Sequence, residues 1–194
     1  MKKPCMEDQS AISRLKQGEL DGLEILVNRY QAQAVHAAYM IVFDRSLAED
    51  IVQMAFIKVA ESIDQFDIER PFAPWFYRIV VNDALKLAKK QKRNVSLESQ
   101  LDETTMQLAK WLTDPEPQPE QLVMIKENRQ IILKAIQSLP PGQRAVIVMR
   151  YFFDMSMKDM STEIGRPLST IKWWLRDARK RLRRLIKTPQ GGME

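Results

Sequence analysis

The 194-residue chain has one cysteine, Cys5, and one histidine, His36. A single thiol forms no intrachain disulfide, which fits a reducing compartment. One Cys and one His cannot build a zinc site of the usual Cys/His type, and no Gly-rich, phosphate-cradling loop occurs. His36 stands among apolar neighbours in QAVHAAYM, the setting of a helix residue with an ordinary partner. No metal, cofactor or catalytic residue is expected. The acidic pairs Glu7–Asp8 and Glu49–Asp50 are sequence neighbours and point to different faces of a helix, so they do not form the clustered carboxylates of a metal-dependent nuclease. No apolar run reaches the roughly 18–20 residues that span a bilayer. MKKPCMEDQS has basic residues but no apolar stretch behind them, unlike a signal peptide. The expectation is a cytoplasmic protein that is not an enzyme and makes no direct membrane insertion.

Glycine is also scarce, at six residues, while Leu, Ala, Lys, Arg, Glu and Gln abound, a helix-forming composition. The formal net charge of +5 conceals an uneven distribution. Residues 1–69 carry 7 basic and 12 acidic side chains, and residues 94–120 carry 1 and 6. KLAKKQKR at 86–93 has 5 basic and no acidic residues, and residues 172–187 have 8 basic residues against the single acid Asp177. Two cationic helices are therefore expected, of a kind suited to phosphate backbones.

Apolar spacing predicts helices over 8–17, Glu19–Phe43, 46–63, Pro74–Gln91, Glu120–Gln137 and 142–152, then two more up to the C-terminal region. Asp44 or Ser46 is the candidate N-cap of the third. Residues 64–73 form a loop. Alternating prolines in DPEPQPE (114–120) block helix and strand alike. The fold class is all-α: a helical bundle over 1–94, an acidic, proline-containing extended linker over 95–119, and a helix-turn-helix domain over 120–189.

The second domain contains two short helices with a tight turn at Gly165–Pro167. Ser156 with Asp159 resembles a capping box, and Met157, Met160 and Ile164 share the first helix's apolar face. Gly165 suits a left-handed C-terminal position, and Ser169 or its predecessor caps the second helix. In that helix Ile171, Leu175, Ala178, Leu182, Leu185 and Ile186 form the packing stripe, Trp174 lies at its edge, and Trp173 lies nearly opposite. Lys172, Arg176, Arg179, Lys180 and Arg183 occupy the remaining side. A solvated helix normally mixes charge signs; this one points to DNA in the major groove.

AEDIVQMAFIKVAESIDQF (48–66), FAPWFYRIVVNDALKLAKKQKR (72–93), LPPGQRAVIVMRYF (139–152) and MSMKDMSTEIGRPLSTIKWWLRDARKRL (155–182) together resemble an extracytoplasmic-function (ECF) sigma factor of bacterial RNA polymerase. The resemblance implies a sigma-2-like domain that docks on the clamp of core RNA polymerase and opens the −10 element of promoter DNA. It also implies a sigma-4-like domain that reads the −35 element and docks on the flap. The linker would run towards the RNA exit path, and an anti-sigma factor is implied as an external partner.

Residue by residue, Glu49, Asp50, Gln53 and Phe56 match the polymerase-binding positions. Asn82 matches the asparagine of the −10-reading helix, where an amide can pair with a base edge. Lys86, Lys89, Lys90 and Arg93 would hold phosphates, and Phe66 and Asp67 belong to the loop that would pocket an unstacked base. Phe72, Trp75, Phe76 and Ile79 are expected in the core. For the −35 element the residues are Ser169, Thr170, Lys172, Trp173, Arg176, Arg179 and Lys180. The family usually has small or basic residues where Trp173, Trp174 and Asp177 stand, often a base at Val81, and commonly glycine at Ser169.

The competing reading is a free-standing helix-turn-helix regulator that acts without replacing a sigma subunit. It would need a ligand pocket or phosphoacceptor in the N-terminal half, and the sequence shows neither.

Overall fold

The structure, a computed structural model, describes residues 5–94 and 131–187, without the side chains of 92–94 and 186–187. The linker expected over 95–119 and the start of the helix expected from Glu120 lie outside these residues. The regular elements among the described residues are all helical: α1 (Met6–Lys16), α2 (Asp21–Val42), α3 (Arg45–Ser62), a 3₁₀ turn (Ile63–Gln65), α4 (Phe72–Asn94), α5 (131–137), α6 (Pro141–Tyr151), α7 (Met157–Ile164) and α8 (Leu168–Lys187).

Local chemistry sets the helix ends. The α2 helix stops at Phe43, which takes a left-handed conformation (φ 56°). Asp44 then caps α3 by accepting the Leu47 N–H at 2.9 Å, an interaction worth about 1 kcal/mol. Pro74 lies within the first turn of α4, where its missing N–H would have had no intrahelical partner.

The N-terminal bundle packs α2, α3 and α4 around Leu26, Ile41, Val52, Val59, Phe72, Phe76 and Val80, all essentially inaccessible to solvent. Phe76 stacks against Phe56 (centroids 4.4 Å) and Phe72 (5.7 Å). Trp75 and Ile79, expected in the core, are half-buried at its edge. The α1 helix lies across α2, where the buried carboxylate of Asp8 accepts the Tyr30 hydroxyl at 2.5 Å. Burial, reinforced by that bond, pushes the Tyr30 phenol well above its usual pKa.

In the C-terminal part, α6, α7 and α8 enclose Val146, Met149, Met160, Ile171, Leu175 and Ala178. The Ser156 hydroxyl accepts the Asp159 N–H at 3.1 Å and donates to the Asp159 carboxylate at 2.7 Å. Gly165 (φ 64°) ends α7 in the left-handed region, where a Cβ would be strained. Three expectations change. Met157 is exposed, not on the packed face of α7, and Leu185 is exposed near the end of α8, beyond reach of the core. The α8 helix opens at Leu168, so Ser169 lies in its first turn rather than capping it.

The two parts pack together, α6 against α2 and α4, and α7 against α4. Tyr77 stacks on Phe153 (3.9 Å), the His36 ring meets Phe152 edge-on (5.4 Å), and Arg78 pairs with Glu163 at 2.9 Å. His36 is thus a buried packing residue of α2, as its apolar neighbours implied. The Arg144 guanidinium sits over the Phe43 ring at 5.3 Å, and burial lowers its pKa to about 10.

Candidate nucleic-acid interface

Two helices carry clusters of exposed basic groups, and each is aimed by apolar residues on its other side. On α8, Ile171, Leu175 and Ala178 are buried. With 3.6 residues per turn, this turns Ser169, Trp173, Arg176 and Lys180 outward, and all four are exposed. Thr170 is half-buried. Lys172, Arg176, Arg179 and Arg183 line one wall of an open groove of about 620 Å³, with Arg150 and Ser156 across it. The Arg179 Nε donates to the Tyr151 hydroxyl at 2.9 Å, and its guanidinium lies 5.7 Å from that ring. Arg150 donates to the Met155 carbonyl at 3.0 Å, holding the turn that leads into α7. Sequence reasoning singled out neither Tyr151 nor Arg150, because both act across elements that only the fold brings together.

The one acid of this helix, Asp177, faces away from the groove. It accepts the Gln143 amide at 2.8 Å and the Arg181 Nε at 2.9 Å on the same oxygen. The Gln143 bond and the neighbouring cations hold its carboxyl below the usual range. Trp174 is half-buried, with its indole over Gly142, where a Cβ would come within 2.8–3.1 Å of three ring carbons.

On α4, Val80, Val81, Ala84, Leu85 and Ala88 are buried. The outward face carries Arg78, Lys86, Lys89 and Lys90, with Asn82 half-buried among them. Val81 thus points into the core, where a base would be unpaired. Lys86 is 3.9 Å from Asp83, whose other oxygen holds Lys58 at 2.6 Å. Arg93 lies on α4 with its side chain outside the described residues.

The 66–71 loop is shaped by α1: Lys16 donates to the carbonyls of Phe66 (2.7 Å) and Asp64 (3.3 Å). Asp67 accepts the Glu69 N–H at 3.0 Å and pairs with Arg70 at 3.3 Å, and its side chain is exposed. Phe66 does not share that exposure. It is buried against Trp75 (4.7 Å) and Phe72 (6.0 Å), so its ring helps to build the floor of this loop.

On α3 the polymerase-binding candidates differ in exposure. Phe56, grouped with the polymerase-binding positions, is buried and stacked on Phe76. Asp50 and Gln53 are exposed, and Glu49 is half-buried and paired with Arg45 at 2.8 Å. Beside them Met54 and Ile57 are 50% and 48% exposed. They are the apolar residues of α3 that the bundle leaves uncovered.

Among the described residues no His, Cys, Asp and Glu group could hold a metal ion, and no helix is long and apolar enough to cross a membrane.

A helix-turn-helix with a one-signed outer helix, attached to a bundle that presents a second cationic helix, defines a two-part nucleic-acid-binding protein. The Sigma-70 region 2 family matches residues 26–94, and Sigma-70, region 4 matches residues 129–182. The chain belongs to the ECF sigma factors of the sigma-70 family, which are initiation factors rather than catalysts. It is 29% identical over 177 residues to the ECF RNA polymerase sigma factor SigW of Bacillus subtilis, covering 91% of this chain and 95% of that protein. It is also 29% identical to the ECF RNA polymerase sigma-E factors of Haemophilus influenzae (94% and 96% covered) and Escherichia coli K12 (86% and 87%). Its fold resembles CnrH in complex with the cytosolic domain of CnrY (TM-score 0.59, 20% identity, 93% and 97% covered). It also resembles the sigma factor RpoE bound to the anti-sigma factor NepR from Bartonella quintana (0.58, 22%, 86% and 96%). The region 2 match occupies the half in which a free-standing regulator would need its sensor.

Proposed function

We propose that this chain is the promoter-specificity subunit of RNA polymerase: it binds the core enzyme, reads the −35 element with α8 and the −10 element with α4, and aids melting at the −10 element. The observation that carries this reading is the pair of exposed, cationic faces on α4 and α8, one on each sigma-70 module. Asn82 reads a base edge; Lys86, Lys89, Lys90 and Arg93 grip phosphates; Asp67 lies on the loop facing the melted strand. Ser169, Thr170, Lys172, Trp173, Arg176, Arg179 and Lys180 form the −35 surface. Glu49, Asp50 and Gln53, with exposed Met54 and Ile57, face the polymerase clamp.

The chain makes no bond itself and works in the cytoplasm beside the polymerase. An anti-sigma factor is its expected antagonist, since both solved neighbours named above were captured in two-protein complexes. In the packed arrangement Glu163 of α7 holds Arg78, one turn before Asn82 on α4. The two modules must therefore part before each can grip its own segment of one duplex. Run-off transcription with bacterial core polymerase tests the assignment. The reading predicts start sites that the core enzyme alone does not use, and no such start sites would overturn it.

A further inference from the structure

We propose that Trp173 reads a thymine 5-methyl group within the upstream promoter element and so helps set which sequences this chain accepts. The inference rests on the assignment of α8 to promoter reading and names the base chemistry it detects.

Trp173 stands nearly opposite the buried Ile171–Leu175–Ala178 stripe. When α8 lies in a major groove with that stripe facing the protein, the residue opposite it points at the groove floor. The lysines and arginines to the side, Lys172, Arg176 and Arg183, line the groove shared with α7 and are placed for the phosphate walls. The indole is 51% exposed, and among the described residues no aromatic ring or guanidinium stacks on it. The nearby acid, Asp177, is held by Gln143 and Arg181, so no carboxylate projects beside Trp173 to repel the duplex.

The side chain's chemistry then restricts what it can detect. An indole has one N–H donor and no acceptor, so it cannot make the two-bond contacts by which Arg distinguishes guanine or Asn distinguishes adenine. Its remaining surface is apolar. The base edges in a major groove offer one apolar group, the 5-methyl of thymine. An outward-pointing indole therefore discriminates by burying that methyl, on either strand.

The test uses the full chain assembled with bacterial core polymerase and promoter duplexes recovered by selection from genomic fragments. Each thymine of the upstream element is replaced in turn by uracil, which pairs identically and lacks only the methyl. One or two positions should lose affinity about fourfold, the worth of one buried methyl-sized group. With Trp173→Ala those positions should become indifferent to uracil, while core assembly and the salt dependence of binding stay unchanged; Trp173→Phe should retain part of the sensitivity. Promoters that bind equally well with uracil throughout, or a Trp173→Ala protein that keeps the wild-type uracil profile, overturn the inference and leave promoter reading by α8 intact. Loss of core assembly on Trp173→Ala with an unaltered uracil profile assigns the indole to a protein surface and also overturns it. Recovery of no promoters at all removes the underlying assignment, and this inference falls with it.

Discussion

The Gln143 amide lies 2.8 Å from the Asp177 carboxylate, joining the start of α6 to the middle of the recognition helix. Asp177 is the one acid among eight bases in residues 172–187, and this bond turns it from the DNA-facing side. The bond ties α8 to α6. Its pKa is lowered mainly by the Gln143 bond, so its stabilising contribution is present above the usual carboxylate range and is lost as pH falls through the lowered value. Asp177→Asn should flatten the acid limb of the unfolding curve of the C-terminal module, followed by circular dichroism between pH 2 and pH 5.

Gly142 is the complementary fixture. An added Cβ would meet the Trp174 ring at 2.8–3.1 Å, and overpacking of this kind costs about 1–3 kcal/mol. Gly142→Ala should lower the unfolding free energy by that amount, read as a lower denaturation midpoint at unchanged m. Combining it with Trp174→Leu should recover part of the loss, because the smaller side chain vacates the contested space.

Asn82 and Lys86 sit four residues apart on α4 and should fail differently. Asn82→Ala should cost about 1–3 kcal/mol at one position of the −10 element and relax the preference there. Lys86→Ala should weaken all promoters alike and reduce the salt slope by about one. Binding titrations of the polymerase complex at several salt concentrations separate the two.

The contact between the modules is predicted to be labile. The Tyr77–Phe153 stack at 3.9 Å is worth about 0.5–1.5 kcal/mol, so Phe153→Ala should shift the balance towards separated modules about two- to tenfold, read as a larger radius of gyration in solution scattering. Glu163 faces Arg78 of α4 and Asp159 of its own helix. Its pKa is raised by desolvation, with Arg78 opposing the shift. A raised carboxyl favours the packed state below the ordinary carboxylate range and loses that contribution as pH rises through the raised value. Scattering across this window should show progressive opening, and Glu163→Gln should remove the pH dependence.

Met54 and Ile57 form the uncovered apolar spot beside Asp50 and Gln53. Ile57→Asp should leave the melting temperature almost unchanged, since the side chain is half in water, and reduce affinity for core polymerase about tenfold or more. Surface-immobilised polymerase gives the readout.

The existence of the helices in the described residues, the Ser156 cap, the Gly165 terminus and the contrast between Trp173 and Trp174 were legible in the sequence, because each follows from periodicity or capping chemistry within a few residues. Phe56 and Phe66 were not. Phe66 stands beside Asp67 and Phe56 between Ala55 and Ile57, and only the arrangement of α1, α3 and α4 decides that both rings turn inward. The roles of Gln143, Tyr151 and Glu163 were equally hidden, since each depends on a partner at least 28 residues away.

The region 2 family match begins at residue 26, beyond α1, yet Lys16 of α1 ties down the carbonyls of Asp64 and Phe66. A gene trimmed to the matched segment would keep every side chain proposed to hold the opened strand while deleting the peg that shapes their loop. Such a shortened protein would underreport promoter opening for reasons of anchorage, so comparisons among relatives should retain the leading helix.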